Sequence, residues 1–103
     1  MPEGTNTQTD EGYGSRTVVV SNHHGLHTRP CSAIVDVVGR HRANVTVQKG
    51  SQTVDASSIL ELMSLAASQG TELVLSATGH DAAEVLEALV HLFANEFGVA
   101  YSD

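Results

Sequence analysis

The chain has 103 residues, a formal net charge of −7, 41% hydrophobic residues, no Trp and one cysteine. That length supports one small domain, and its core must come from Val, Leu, Ile and Ala. The composition argues against a bilayer span, which needs ~18–20 apolar residues, against a secretory signal, whose basic start and apolar stretch are missing, and against an internal disulfide, since Cys31 has no partner; a cytoplasmic protein is the expectation.

The acidic balance speaks against general binding of nucleic acid. Charge is also unevenly spread. Arg16, Arg29, Arg40, Arg42 and Lys49 fall in one stretch with a single acid, Asp36, while the chain after Lys49 holds eight acids and no Lys or Arg. Either this is scatter in a small protein, or one surface meets an anion.

In chain order, residues 1–14 are polar with no apolar period and read as a disordered tail, leaving residues 15–103 as the domain. Residues 16–20 are β-branched and short, a strand. A polar turn, residues 21–25, follows. Cys31, Ile34, Val35 and Val38 fall at helical spacing, so residues 28–38 predict a helix that Gly39 stops. Residues 44–48 and 52–54 predict two strands around a turn at residues 49–51. A second helix starts at Ser58, whose Glu61 three residues on resembles a capping box, and ends at Gln69-Gly70. Residues 72–77 predict a fourth strand. Asp81 and Glu84 resemble a second capping box, and Ala82, Val85, Leu86, Leu89, Leu92 and Phe93 form the apolar stripe of a last helix. The order β-α-β-β-α-β-α predicts an α+β fold, an open-faced two-layer sandwich with a four-stranded antiparallel sheet and helices on one face.

The chemistry concentrates at Gly25-Leu26-His27-Thr28-Arg29-Pro30. Proline is accommodated in a first helical turn, where its missing N–H has no partner anyway. Pro30 therefore marks the helix start and sets His27 at or just before the N-cap. The first backbone N–H groups of a helix form an anion site with a favourable dipole. Arg29 adds a guanidinium fork that matches phosphate oxygens, and Gly25 allows a tight bend beside the imidazole. A nucleophilic imidazole, helix-start amides and one Arg suffice to accept and hold a phosphoryl group. By itself, a His in a polar turn is more often a cap or a solvated side chain.

The neighbours add weight. Gly25-Leu26-His27-Thr28-Arg29-Pro30 resembles the active-site motif of the histidine-containing phosphocarrier (HPr) family of the bacterial phosphotransferase system. Residues 57–65, Ser-Ser-Ile-Leu-Glu-Leu-Met-Ser-Leu, resemble the family's second segment, and Gln69-Gly70-Thr71 follows at the family's spacing. The resemblance runs from about Arg16 to Phe97. It implies that His27 is phosphorylated through Nδ1, that Arg29 steadies the phosphoryl group, and that Gly25, Thr28 and Pro30 shape its site. It implies a carrier rather than a self-sufficient enzyme, taking its phosphoryl group from enzyme I, ultimately from phosphoenolpyruvate, and passing it to an enzyme IIA domain. No cofactor and no metal is implied, and a monomer is expected.

Ser58 matches the family's regulatory serine, phosphorylated in some lineages by HPr kinase/phosphorylase, and it also suits a helix N-cap. Ile59, Leu60 and Met63 are the expected docking surface, with Leu62, Leu65 and Ala66 serving the core. Asp36 departs from the family, whose members often carry Lys there, as does His24, where others often have Asn or Thr. The alternative function is a regulatory binding module controlled at Ser58, without a sugar-uptake relay. His23, His24 and His27 have a spacing that could hold Zn²⁺ or Cu²⁺, but a His cluster in a turn is more often adventitious. The basic stretch lacks interleaved aromatics, against an RNA module. Cys31 reads as a small core residue, although the helix start could lower its pKa.

Overall fold

In a computed structural model, which describes residues 12–98, the chain forms β1 (Gly12–Val19), α1 (Thr28–Gly39), β2 (Asn44–Lys49), β3 (Gln52–Asp55), α2 (Ile59–Ser64), β4 (Glu72–Gly79) and α3 (Ala82–Ala94), with a short 3₁₀ turn at Glu96–Gly98. All strand pairs are antiparallel, in the order β1-β4-β2-β3. The predicted α+β sandwich is therefore the fold.

Alternation decides which face of the sheet is covered. Val45 and Val47 of β2, Val54 of β3 and Leu73, Leu75 and Ala77 of β4 point inward, and the residues between them, polar except for the half-buried Val74, face out. Against that face lie Cys31, Ile34 and Val38 of α1, Leu62 of α2, and Val85, Leu86, Leu89 and Phe93 of α3. Phe97 closes the core beside Phe93, ring centroids 4.7 Å apart.

The strand begins earlier than its β-branched run. Gly12, Tyr13 and Gly14, read from sequence as tail, are the first residues of β1, paired with Gly79, Thr78 and Ala77. The reason is steric. Gly14 lies beneath α3, and a Cβ there would stand 2.9 Å from Cδ1 of Leu86. Residues 1–11, the rest of the expected tail, lie outside the described residues.

Other boundaries also move. Gly39 is the last residue of α1 rather than its stop, and the helix closes past it, with Arg40 N–H donating to Val37 O at 3.1 Å and His41 N–H to Val38 O at 3.2 Å. Helix α2 ends at Ser64, well short of Gln69-Gly70, because Ala66 turns into the left-handed region at φ 50° and carries the chain away. Ala66 is consequently exposed, and Ala67 takes the core place expected of it.

Neither capping box closes as drawn. Ser58 Oγ accepts from Glu61 N–H at 3.2 Å, but the Glu61 carboxylate accepts from the backbone of Asp55, not from Ser58. Asp81 is the N-cap of α3 without capping it through its side chain. Its carboxylate instead accepts the Arg42 N–H at 2.7 Å and faces Nδ1 of His80 at 2.8 Å, tying the start of α3 to the loop between α1 and β2.

The Arg42 N–H, with His80 beside it, holds the Asp81 carboxyl down at about 2 against an ordinary 3.8. A depressed carboxyl stabilises the fold fully above its ordinary value and loses that contribution as the pH falls through the folded value. Asp81→Asn is thus expected to lower the urea midpoint at neutral pH, with the gap to the parent chain closing as the pH falls from 3.8 towards 2; urea titrations across that range check it.

Candidate functional site

The turn between β1 and α1 is built from below. Val20 N–H donates to Thr71 O at 2.9 Å, and Gly70 N–H returns a bond to Val20 O at 2.7 Å. Gln69 Nε2 donates to Ser21 O at 3.1 Å, and Leu26 N–H to Ala67 O at 2.9 Å. Segment 67–71 thus straps the whole turn to the start of β4. Leu26 drives its side chain into the core.

Gly25 makes this closeness possible. Its φ is 70°, and a Cβ there would collide with the Ala67 carbonyl and stand 2.9 Å from Cα of Ser68. Asn22, which sequence reasoning passed over as one polar turn residue among several, is buried and donates Nδ2–H to Gly25 O at 2.6 Å. The same carbonyl accepts His27 N–H at 3.0 Å. The available signal was turn chemistry: Asn bonds its own backbone a few residues on.

His27 is the N-cap of α1, extended at φ −95° and ψ −169°. Its carbonyl accepts the helix's first bond, from Cys31 N–H at 3.1 Å, and its side chain caps nothing. The ring is half-buried, with Nε2 out of reach of solvent. The first turn carries Thr28 and Arg29, both exposed, the buried Pro30, and no acid. The positive end of a 12-residue helix therefore lies beside the imidazole, and the helix's own first turn adds no carboxylate there.

The rings of His23, His24 and His27 stand edge to face, centroids 4.9 and 6.0 Å apart. Among the described residues, no group of three or more His, Cys, Asp or Glu is arranged to hold a metal ion. Cys31, one turn into α1, is fully buried, and desolvation pushes its thiol up to about 11. Burial thus moves the thiol the opposite way from the lowered pKa considered from sequence.

Helix α2 lies next to this turn. Thr28 Oγ1 donates to Met63 Sδ at 3.8 Å, so the two segments touch beside His27. Leu62 is buried, while Leu60 is 81% exposed, Met63 39% exposed and Ile59 half-buried. Ser58 stands at the head of this surface with its hydroxyl in the cap. Beside it, Asp55 accepts from Ser57 N–H and Ser57 Oγ, which hold its carboxyl below the ordinary carboxylate value.

The basic stretch does not gather into one surface. Arg16 lies along α3 against Glu87 at 3.5 Å, Arg40 pairs with Asp36 at 2.6 Å, and Arg42 faces Asp81 and His80. Lys49 donates to Leu65 O at 2.8 Å, covering the end of α2. Arg29 is the one of the five placed at the start of α1. No helix among the described residues is long and apolar enough to cross a membrane.

A small open-faced sandwich, with a histidine at the start of a helix and an exposed apolar helix beside it, has the build of a phosphocarrier. The family model described as "PTS HPr component phosphorylation site" matches residues 14–95. The phosphocarrier protein HPr of Xylella fastidiosa is 36% identical over 80 residues, which cover 78% of this chain and 90% of that protein. The multiphosphoryl transfer protein of Haemophilus influenzae is 35% identical over 95 residues, 89% of this chain but 19% of its own length. The crystal structure of HPr from Thermoanaerobacter tengcongensis superposes with a TM-score of 0.80 at 37% identity, covering 84% of this chain and 98% of that one. The chain belongs to the HPr family, the phosphocarriers of the phosphotransferase system.

Two outcomes test this geometry. Gly25→Ala is expected to lower the unfolding free energy by about 2 kcal/mol or more, through left-handed strain and the Ala67 collision, as read by urea denaturation. Cys31 in the folded chain is expected to react with iodoacetamide at least ~10-fold more slowly than in the urea-unfolded chain, as read by mass spectrometry over time.

Proposed function

We propose that this chain accepts a phosphoryl group on Nδ1 of His27 from phosphorylated enzyme I and passes it to an enzyme IIA domain. One observation carries the reading: His27 is the N-cap of α1 with Nε2 buried and no acid in the first turn. Burial of Nε2 leaves Nδ1 as the ring nitrogen for an incoming phosphorus. The positive helix end suits an anionic product.

The step is an in-line displacement. The Nδ1 lone pair forms an N–P bond as the donor's bond to phosphorus breaks, and the donor keeps that electron pair. The transferred oxygens are held by the amides of the first turn, the Thr28 hydroxyl and the Arg29 fork. Gly25 and Pro30, both buried, shape the turn and fix where the helix begins. Transfer onward is the same step with His27 as donor, and the strapped turn gives both partners one geometry.

Ile59, Leu60 and Met63 form the docking surface beside the reacting ring, an apolar patch suited to brief encounters by a monomeric carrier. Ser58 heads α2 on that face. Phosphorylation there by HPr kinase/phosphorylase would place charge next to Leu60 and Met63 while standing at a helix N-terminus, where an anion is tolerated.

Incubation with phosphoenolpyruvate and enzyme I, followed by intact-mass spectrometry under non-acidic conditions, is expected to show one phosphoryl group. It should be acid-labile and absent in His27→Ala. Arg29→Ala is expected to slow uptake by about tenfold or more, as for loss of a charge-assisted contact in a transition state. No uptake by the parent chain with its cognate enzyme I overturns the reading. A phosphate stable to acid and lost in Ser58→Ala would report the regulatory site separately.

A further inference from the structure

Two sulfurs lie among the described residues, and their surroundings are opposite. Cys31 is sealed in the core, 0% exposed, and its thiol is pushed away from the reactive thiolate. Met63 is 39% exposed, on the docking face, in contact with the first residue after His27. An oxidant reaching this face therefore meets a thioether and no thiol.

The contact gives that thioether a particular neighbour. Thr28 Oγ1 has one proton, and at 3.8 Å it points it at Met63 Sδ. A thioether sulfur is a weak acceptor, so the hydroxyl gives up little when it turns to a phosphoryl oxygen on His27. A sulfoxide oxygen is a far stronger acceptor on a side chain that has become polar. It would compete for the same proton and would wet the apolar patch formed with Leu60 and Ile59.

We propose that Met63 is a peroxide-sensitive modification site, and that its conversion to the sulfoxide slows phosphoryl transfer at His27. The inference rests on the carrier reading above. In the reaction, the Met63 sulfur lone pair attacks one oxygen of a hydroperoxide. The S–O bond forms as the O–O bond breaks, sulfur is oxidised by two electrons, and hydrogen peroxide leaves as water. Methionine sulfoxide reductases reverse the change.

The test uses the full chain. It is treated with hydrogen peroxide, catalase removes the excess, and oxygen uptake at Met63 is read by peptide mass spectrometry, which separates it from Met1. Initial rates of phosphorylation by untreated enzyme I are then compared before and after treatment. The expected result is complete oxidation of Met63 and a rate about fivefold lower, the size of effect one docking residue carries, with recovery after reductase treatment. In Met63→Leu the ratio of treated to untreated rates should stay near one, whatever its starting rate. Met63→Gln, which places a polar group there permanently, should be slow without peroxide. Met63 staying a thioether while Met1 is oxidised, an unchanged rate after complete Met63 oxidation, or an equal loss in Met63→Leu would each overturn this inference alone. An untreated chain that takes up no phosphoryl group overturns the carrier reading and this inference with it.

Discussion

The turn that carries His27 is held by the chain that runs beneath it. Leu26 bonds to Ala67 and buries its side chain, Val20 exchanges bonds with Gly70 and Thr71, and Gly25 sits where any side chain would strike the Ala67 carbonyl. His27 has little choice of position once those contacts form, because its N–H and the buried Asn22 amide share the Gly25 carbonyl. Preorganisation of this kind matters for phosphoryl transfer, where the protein contributes mostly placement and charge rather than bond chemistry. Helix α1 then supplies the charge, through its uncapped first turn.

The fold was legible because its signals are periodic. Alternation at Val45-Val47 and Leu73-Leu75-Ala77, and helical spacing at Ile34-Val38 and Val85-Leu89, are simple projections of one-sided burial. The motif around His27 was legible because Pro30 fixes a helix start. What sequence missed has physical reasons. Gly12 and Gly14 resemble tail because a strand lying close beneath α3 has no inward side chain to show. Asp81 and Glu84 read as a capping box because spacing cannot reveal that Arg42, distant in sequence, arrives to take the carboxylate. Nothing in the run Leu65-Ala66-Ala67 marks the left-handed turn at Ala66 that ends α2 early. The clamp of Asn22 on Gly25 depends on a burial that local composition does not encode.

Charge shows the limits of linear reading most clearly. A basic stretch in sequence became several separate pairings in space, with Glu87, with Asp36, with Asp81 and His80, and with the carbonyl of Leu65. Most of those are exposed ion pairs, which contribute little to stability each. Their effect is to divide the cations among the structural elements. Arg29 is the one of the five that stands at the start of α1.

The long reach of the bonds under the His27 turn has a consequence for how the molecule comes to be. Strand β1 pairs with β4, the last strand of the sheet, and the turn after β1 is strapped by the segment just before β4. Closing so large a loop must precede any of those contacts, and such non-local pairings form slowly. A nascent or partly unfolded chain can hold the local helix of α1 without the platform that aims its histidine. The placement of His27 therefore arises with global folding and is lost with it, so a locally helical fragment would not reproduce the geometry of the turn.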